Sequence, residues 1–430
     1  MDKQKALLFG SAAAIRLLLF TAFPSLSTTL GDRVELSTPV TSFKRLQEGL
    51  FLYNHNVSPY DGGVFHQAPL LLPLFSLLPD ASSFPLPTNL LYILVDLLSA
   101  CALYQIAETG QAVSSRLFTS PRKELRGNSL SVAAGYLFNP FTILTCLARP
   151  TSTFTHLTLL QSISHAAHGS SISLLLSLAL ASYLAIWPLF FLPPLMLLCY
   201  DVRIRRFAEK PSSQQAEKPP PSLLKFSVAG VMGLCIAIGI LLGISYAIVG
   251  SWSFIPSILT AHLLLPDLTP NVGLWWYFFI EMFDSFRSFF LAVFWLHMFS
   301  YVPGLCIRLR KQPLFVCVAL LGVVAVFAPY PAVGEAGLFL AGLGLYRHIW
   351  GVTRYTFLAL STLLYASSLG PAFYHLWISA GSGNANFFYA ITLVWALGLI
   401  VILADAIFAV LRDEWEKERP EYRGKSVRQI

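Results

Sequence analysis

Apolar residues in this chain fall in long runs rather than in alternation, as in Leu223–Val249, Trp275–Val302, Leu314–Ala328 and Phe387–Leu411. A helix of about 20 apolar residues spans the ~30 Å hydrocarbon core of a bilayer. In lipid the backbone has to satisfy its own hydrogen bonds, so such runs are read as helices. The short alternating segments of a membrane β-barrel are absent. The pattern predicts an all-α polytopic membrane protein with spans near 6–23, 86–107, 129–148, 151–166, 171–187, 188–200, 224–250, 273–302, 314–330, 336–350, 355–371 and 387–411. That is roughly twelve transmembrane helices in one integral membrane domain, 1–430. Residues 70–78 are also apolar, but the run is short and carries Pro69, Pro73 and Pro79, which fits a re-entrant or interfacial segment.

Basic clusters orient these spans. Lys3 and Lys5, the Arg116–Arg126 group, the Arg203–Lys225 group, Arg308 to Lys311, Arg347 with Arg354, and Arg412 to Arg428 alternate with the other loops so that every cluster falls on one side. The positive-inside rule makes that side cytosolic, with both termini on it. Residues 24–66 then form a lumenal loop with a short interfacial helix, and 207–222 (FAEKPSSQQAEKPPPS) form a cytosolic Pro-rich linker. The first run resembles a signal peptide, but Arg16 interrupts it and no small-x-small site follows, so a retained helix is expected.

Composition agrees. Only 12% of the 430 residues are charged, against roughly 25% in soluble domains. The net charge of +7 sits beside apolar runs, which marks topology rather than nucleic-acid binding. The six cysteines lie in or at the ends of apolar runs with no CxxC spacing. His165 and His168 lack companion ligands, so no metal or other cofactor is expected. The chain has no GxSxG, P-loop or HExxH, and no GxGxxG after a strand.

The candidate chemistry sits in the lumenal loops, which are rich in Pro, aromatics and Asn. An aromatic belt accounts for many of the rings. It does not account for Asp61, His66, Asp267, Asn271, Asn384 and Asn386 beside them, which have the hydrogen-bonding capacity to meet sugars or phosphates at headgroup depth. Inside the membrane, Asp96 and Asp405 interrupt apolar runs, and Glu281, Asp284 and Arg287 follow one another at i, i+3, i+6. Helical spacing lets Asp284 pair with Arg287, as a structural ion pair or a subunit contact. A transporter would use these groups. A glycosyltransferase acting on a lipid-linked sugar would use Asp61 or Asp32 as base.

Several ordered blocks carry a family resemblance: DRVELSTPVTSFKRLQEG (Asp32–Gly49), VSPYDGGVFHQAPLLLPLF (Val57–Phe75), YLFNPFTILTCLA (Tyr136–Ala148), the stretch Ser251–Phe283, YPAVGEAGLFLA (Tyr330–Ala341) and His375–Trp415. With them the chain resembles the PIG-U family, subunit U of the glycosylphosphatidylinositol (GPI) transamidase of the endoplasmic reticulum. The resemblance implies a non-catalytic subunit that recognises the GPI lipid or the C-terminal attachment signal of precursor proteins. It also implies partner subunits, among them a caspase-like catalytic one, and an architecture similar to multi-spanning lipid-linked glycosyltransferases. That similarity supplies the alternative, an enzyme using dolichol-phosphate-mannose. The recognition residues implied are Asn384, Asn386, Phe387, Phe388 and Tyr389, with Asp267, Pro270, Asn271, Tyr60, Asp61 and His66 in the other lumenal blocks.

Overall fold

A computed structural model describes residues 2–209 and 221–425; most of the expected linker, 207–222, lies outside them. The described residues form helices and loops without a named strand. The helices are α1 (Asp2–Ala22), α2 (Pro24–Gly31), α3 (Phe43–Asn54), α4 (Leu71–Ser76), α5 (Leu86–Glu108), α6 (Ser129–Leu137), α7 (Pro140–Ala148), α8 (Ser152–Ala167) and α9 (Ser171–Leu184). They continue as α10 (Leu192–Glu209), α11 (Leu223–Val249), α12 (Phe254–Leu263), α13 (Trp275–Ile280), α14 (Asp284–Arg308), α15 (Pro313–Phe327), α16 (Val333–Leu343), α17 (Thr356–Ile378) and α18 (Ala385–Glu418).

This is an all-α membrane protein, but the count of twelve spans is not met. Among the described residues seven helices are long and apolar enough to cross a bilayer, or eight if the bent pair α6 and α7 is one span. The expected segments all contain helix; the difference lies in their length and continuity. At 1.5 Å per residue, the 14 residues of α9 reach about 21 Å and the 11 residues of α16 about 16 Å, short of the ~30 Å core. The run 129–148 breaks by 53° at Asn139-Pro140, where the Asn139 side chain accepts from the Phe141 N–H at the start of α7, since a proline cannot donate to the preceding turn. The run 273–302 breaks at Phe283, whose extended backbone separates α13 from α14. Residues 70–78 hold only the six-residue α4, packed by Phe75 against Phe43, Tyr92 and Phe154.

Helix packing in lipid comes from close contact and interhelical polar bonds rather than from the hydrophobic effect. The centre of the molecule shows both. In α15 every residue from Pro313 to Val326 is buried, and a Cβ on Gly322 would stand 2.8 Å from the Phe339 ring of α16, so only glycine permits that approach. Arg16 of α1 and Asp96 of α5, both buried, pair at 2.6 Å. Arg16 also donates to the Leu137 carbonyl at 2.9 Å, and the Tyr136 hydroxyl donates to Asp96 at 2.9 Å. Three helices are thereby joined by one charge pair.

The two ends of the bundle differ in chemistry. At one end Asp201 takes Arg116 and Arg310, Arg122 bonds Asp413 and Glu416, and Lys311 bonds Glu418. Lys5 at the start of α1 lies over the Tyr104 ring near the end of α5, and Arg126 bonds the carbonyl of Glu108 at that same end. The start of α1 and the end of α18 therefore share a face with the basic clusters. The other end carries the loops rich in aromatic residues and asparagine.

Candidate functional site

At the loop end two polar clusters form, linked by the segment 264–274. In the first, Asp267 accepts from Arg45 Nη2 at 2.5 Å and from the Thr269 backbone N–H at 3.0 Å, while the Tyr330 hydroxyl donates to its carbonyl at 2.6 Å. Burial raises the Asp267 carboxyl, but the Thr269 and Arg45 donors outweigh it, so its pKa lies below the ordinary carboxylate value. His66 bonds Ser257 at 2.8 Å; burial, aided by the Arg45 charge, lowers its pKa and keeps the imidazole neutral at pH 7. Asn271 is fully buried and accepts from the Gly273 N–H at 2.7 Å, a short loop brace. A Cβ at Gly273 would meet Pro331 at 2.5 Å, so the loop closes onto the α15–α16 connection only with glycine there. The Tyr60 hydroxyl donates to the Gln67 carbonyl at 2.8 Å. Asp61 is exposed outside this network, and Pro270 is half-buried within its loop.

The second cluster surrounds the start of α18. Asn384 is the N-cap, its side chain accepting from the Phe387 N–H at 3.2 Å. An Asn in extended conformation before a helix satisfies a donor that the helix cannot. Asn386 accepts from the Tyr277 hydroxyl of α13. Tyr277 stacks on Tyr389 with ring centroids 4.6 Å apart, and the Tyr389 hydroxyl donates to the Leu274 carbonyl at 3.1 Å. Phe388 is buried between Trp276 and Tyr374, while Asn384, Asn386 and Phe387 are exposed. The arrangement is a rigid aromatic base with two amides and one ring on its surface.

The ionisable groups singled out from the sequence have other surroundings. Asp96 is the partner of Arg16. Asp405 accepts from the Arg354 and Tyr355 backbone N–H groups at 2.8–3.0 Å, holding the start of α17 against α18. Glu281, Asp284 and Arg287 are not on one helix: Glu281 ends α13 and Asp284 begins α14. Arg287 donates to the carbonyls of Leu264 and Leu265 and lies over the Phe279 ring, so the expected Asp284–Arg287 bond does not form. Sequence reasoning missed Arg45, Tyr277 and Arg16. A basic residue in one apolar run and an acid in the next was the available signal for the last.

Relatives make the context specific. The family profile described as GPI transamidase subunit PIG-U matches residues 10–395. The human GPI-anchor transamidase component PIGU is 35% identical over 422 residues, covering 94% of this chain and 93% of the relative. The GPI transamidase component GAB1 of Saccharomyces cerevisiae is also 35% identical, with 96% of each chain covered. The GAB1 homolog of Schizosaccharomyces pombe is 34% identical over 93% of this chain and 91% of its own length. These relatives do not favour the mannosyltransferase alternative. By a profile match spanning most of its length and by three full-length likenesses, the chain belongs to the PIG-U family of GPI transamidase subunits.

Proposed function

We propose that this chain is a non-catalytic membrane subunit of the GPI transamidase, acting in the endoplasmic reticulum beside a caspase-like catalytic subunit. In this reading the start of α1 and the end of α18 face the cytosol, and the Asn384 face is lumenal. The short helices α8, α9 and α16 complete crossings within the bundle; α8 and α16 are largely buried there, which spares them contact with the full lipid thickness, while α9 turns Ile172 and Leu176 outward. The Asn384–Tyr389 surface recognises the GPI lipid or the precursor's attachment signal.

The observation that carries the recognition role is the placement of Asn384, Asn386 and Phe387. All three are exposed on a base of packed rings at the helix start, a geometry suited to a ligand with both polar and apolar parts. Asp267 and Asn271 support this surface by bracing the segment 264–274, whose Leu274 carbonyl accepts from Tyr389. The cysteines favour a non-catalytic role: all six lie in helices, Cys146, Cys199, Cys306 and Cys317 buried, Cys101 half-buried and Cys235 exposed along α11, which suits inert thiols rather than a lumenal nucleophile.

The test is purification of the tagged protein in mild detergent with mass spectrometry of stoichiometric partners. Recovery of a caspase-like peptidase and further membrane subunits supports the reading. Recovery of the folded protein alone overturns it.

A further inference from the structure

A cavity of about 290 Å³ lies between α2, α7, α17 and α18, directly beneath the Asn384–Tyr389 block. Phe388 forms part of its wall from the inner face of that block, and Thr29 and Pro371 stand exposed at its rim. The lining is overwhelmingly aliphatic and aromatic, and its few polar atoms define what can enter. Thr29 donates to Ser25, Ser367 to Leu363 and Thr392 to Tyr389, each to a carbonyl of its own helix. Both Glu35 oxygens accept from Arg33, through Nε at 3.1 Å and Nη2 at 2.7 Å.

Two donors are left over. The Trp395 indole N–H is buried against Phe141 with no acceptor. Arg33 Nη1 has no acceptor among the described residues, while its guanidinium lies over the Tyr374 ring. An indole N–H without a partner inside a membrane protein is costly, so an acceptor is expected there. The cavity thus offers apolar volume, unfilled donors and one guanidinium at the rim. An occupant with an apolar chain and oxygen acceptors fits that set, with a charged head held outside the cavity beside Arg33, whose Nε and Nη2 already hold Glu35.

Size separates the two ligands left open above. A dry cavity of ~150 Å³ takes a benzene ring, so this one holds roughly a dozen carbons. An apolar helix is ~10 Å across with its side chains, and less than one turn of it would fit. Its carbonyls are also committed to its own hydrogen bonds. We propose that this cavity holds one alkyl chain of a phosphate-bearing lipid, with ester oxygens accepting from the Trp395 N–H and the phosphate beside Arg33. Resting on the recognition role above, the occupant is the lipid part of the GPI anchor rather than the attachment signal.

The test uses the intact complex in nanodiscs containing phosphatidylinositol with a diazirine at the end of one acyl chain. Illumination and peptide mass spectrometry should place label on residues 366–371 and 388–395. Ala366→Phe, which fills the cavity, should cut that labelling at least ~5-fold. Trp395→Phe should weaken it several-fold with packing retained, so a failure of the larger variant to fold does not remove the test. Leu364→Phe, on the exposed face of the same helix, should change nothing. Labelling that ignores both Ala366→Phe and Trp395→Phe overturns the proposal, as does equal labelling of the cavity by a diazirine-bearing apolar peptide helix. Equal labelling by a phosphatidylcholine probe keeps the cavity as a lipid site and removes its link to GPI recognition.

Discussion

Arg45 Nη2 stands 2.5 Å from Asp267 Oδ2 and joins α3 to the loop after α12 across 222 residues of sequence. The pair is partly exposed, at 21% and 29% of the side chains, so its coupling is modest. Single substitutions Arg45→Gln and Asp267→Asn should each lower stability by about 1 kcal/mol. A double-mutant cycle on thermal unfolding in detergent should give a coupling of that order. A coupling near zero would mean that Tyr330 and Thr269 hold the loop without Arg45.

The same cluster should make stability depend on pH in two steps. His66 has a folded pKa below its ordinary 6.5, chiefly through burial, with Arg45 adding to it and Asp267 opposing. The folded state thus binds fewer protons than the unfolded one below about 6.5, and stability falls as pH drops from there through the folded value. Asp267 adds a second loss, beginning near its ordinary 3.8 and complete below its depressed folded value. Midpoints of thermal unfolding measured from pH 8 to pH 2 should therefore hold level, fall below about 6.5, and fall again below about 3.8. His66→Gln should reduce the upper step, to which His262, its pKa likewise lowered by burial, also contributes, while leaving the acid limb.

Inside the bundle the stakes are larger. Arg16 and Asp96 are both buried and bonded to each other. Removing one partner leaves an uncompensated charge, which typically costs about 3–5 kcal/mol. Asp96→Leu or Arg16→Leu alone should therefore sharply reduce the folded yield. The double variant should recover much of that loss, because two apolar residues replace two charges. A double variant as damaged as the singles would indicate that the bond to the Leu137 carbonyl or to Tyr136 carries the effect.

Much of this architecture is legible in the sequence, and the exceptions share a cause. Apolar runs located the long helices, because lipid tolerates little else, but not α12, nor that the loop 24–66 holds two helices, α2 and α3. Span lengths were misjudged because a run of apolar residues does not report where the backbone breaks. Asn139-Pro140 was a visible break signal, whereas the extended Phe283 was not. The same false continuity put Glu281, Asp284 and Arg287 on one helix face. Asn384 could be singled out because amides beside aromatic rings stand out in a loop, and because its block resembles a known family. Arg45 could not, since its partner is fixed by tertiary packing alone.

Asn384 has two separable tasks. As N-cap it accepts from the Phe387 N–H, and loss of such a cap costs about 1 kcal/mol. As an exposed amide it can also donate to a ligand, which a hydroxyl or carboxylate of shorter reach or opposite polarity does less well. Asn384→Ala should lose both. Asn384→Ser and Asn384→Asp should keep the cap, and hence the unfolding midpoint within a degree or two. If the amide contacts the ligand, these two variants should still reduce cell-surface display of a GPI-anchored reporter several-fold while the complex remains assembled. Reporter display that follows the unfolding midpoint across all three variants would assign Asn384 to capping alone. Recognition would then rest on Asn386, whose side-chain oxygen already accepts from Tyr277 but whose NH₂ remains available as a donor.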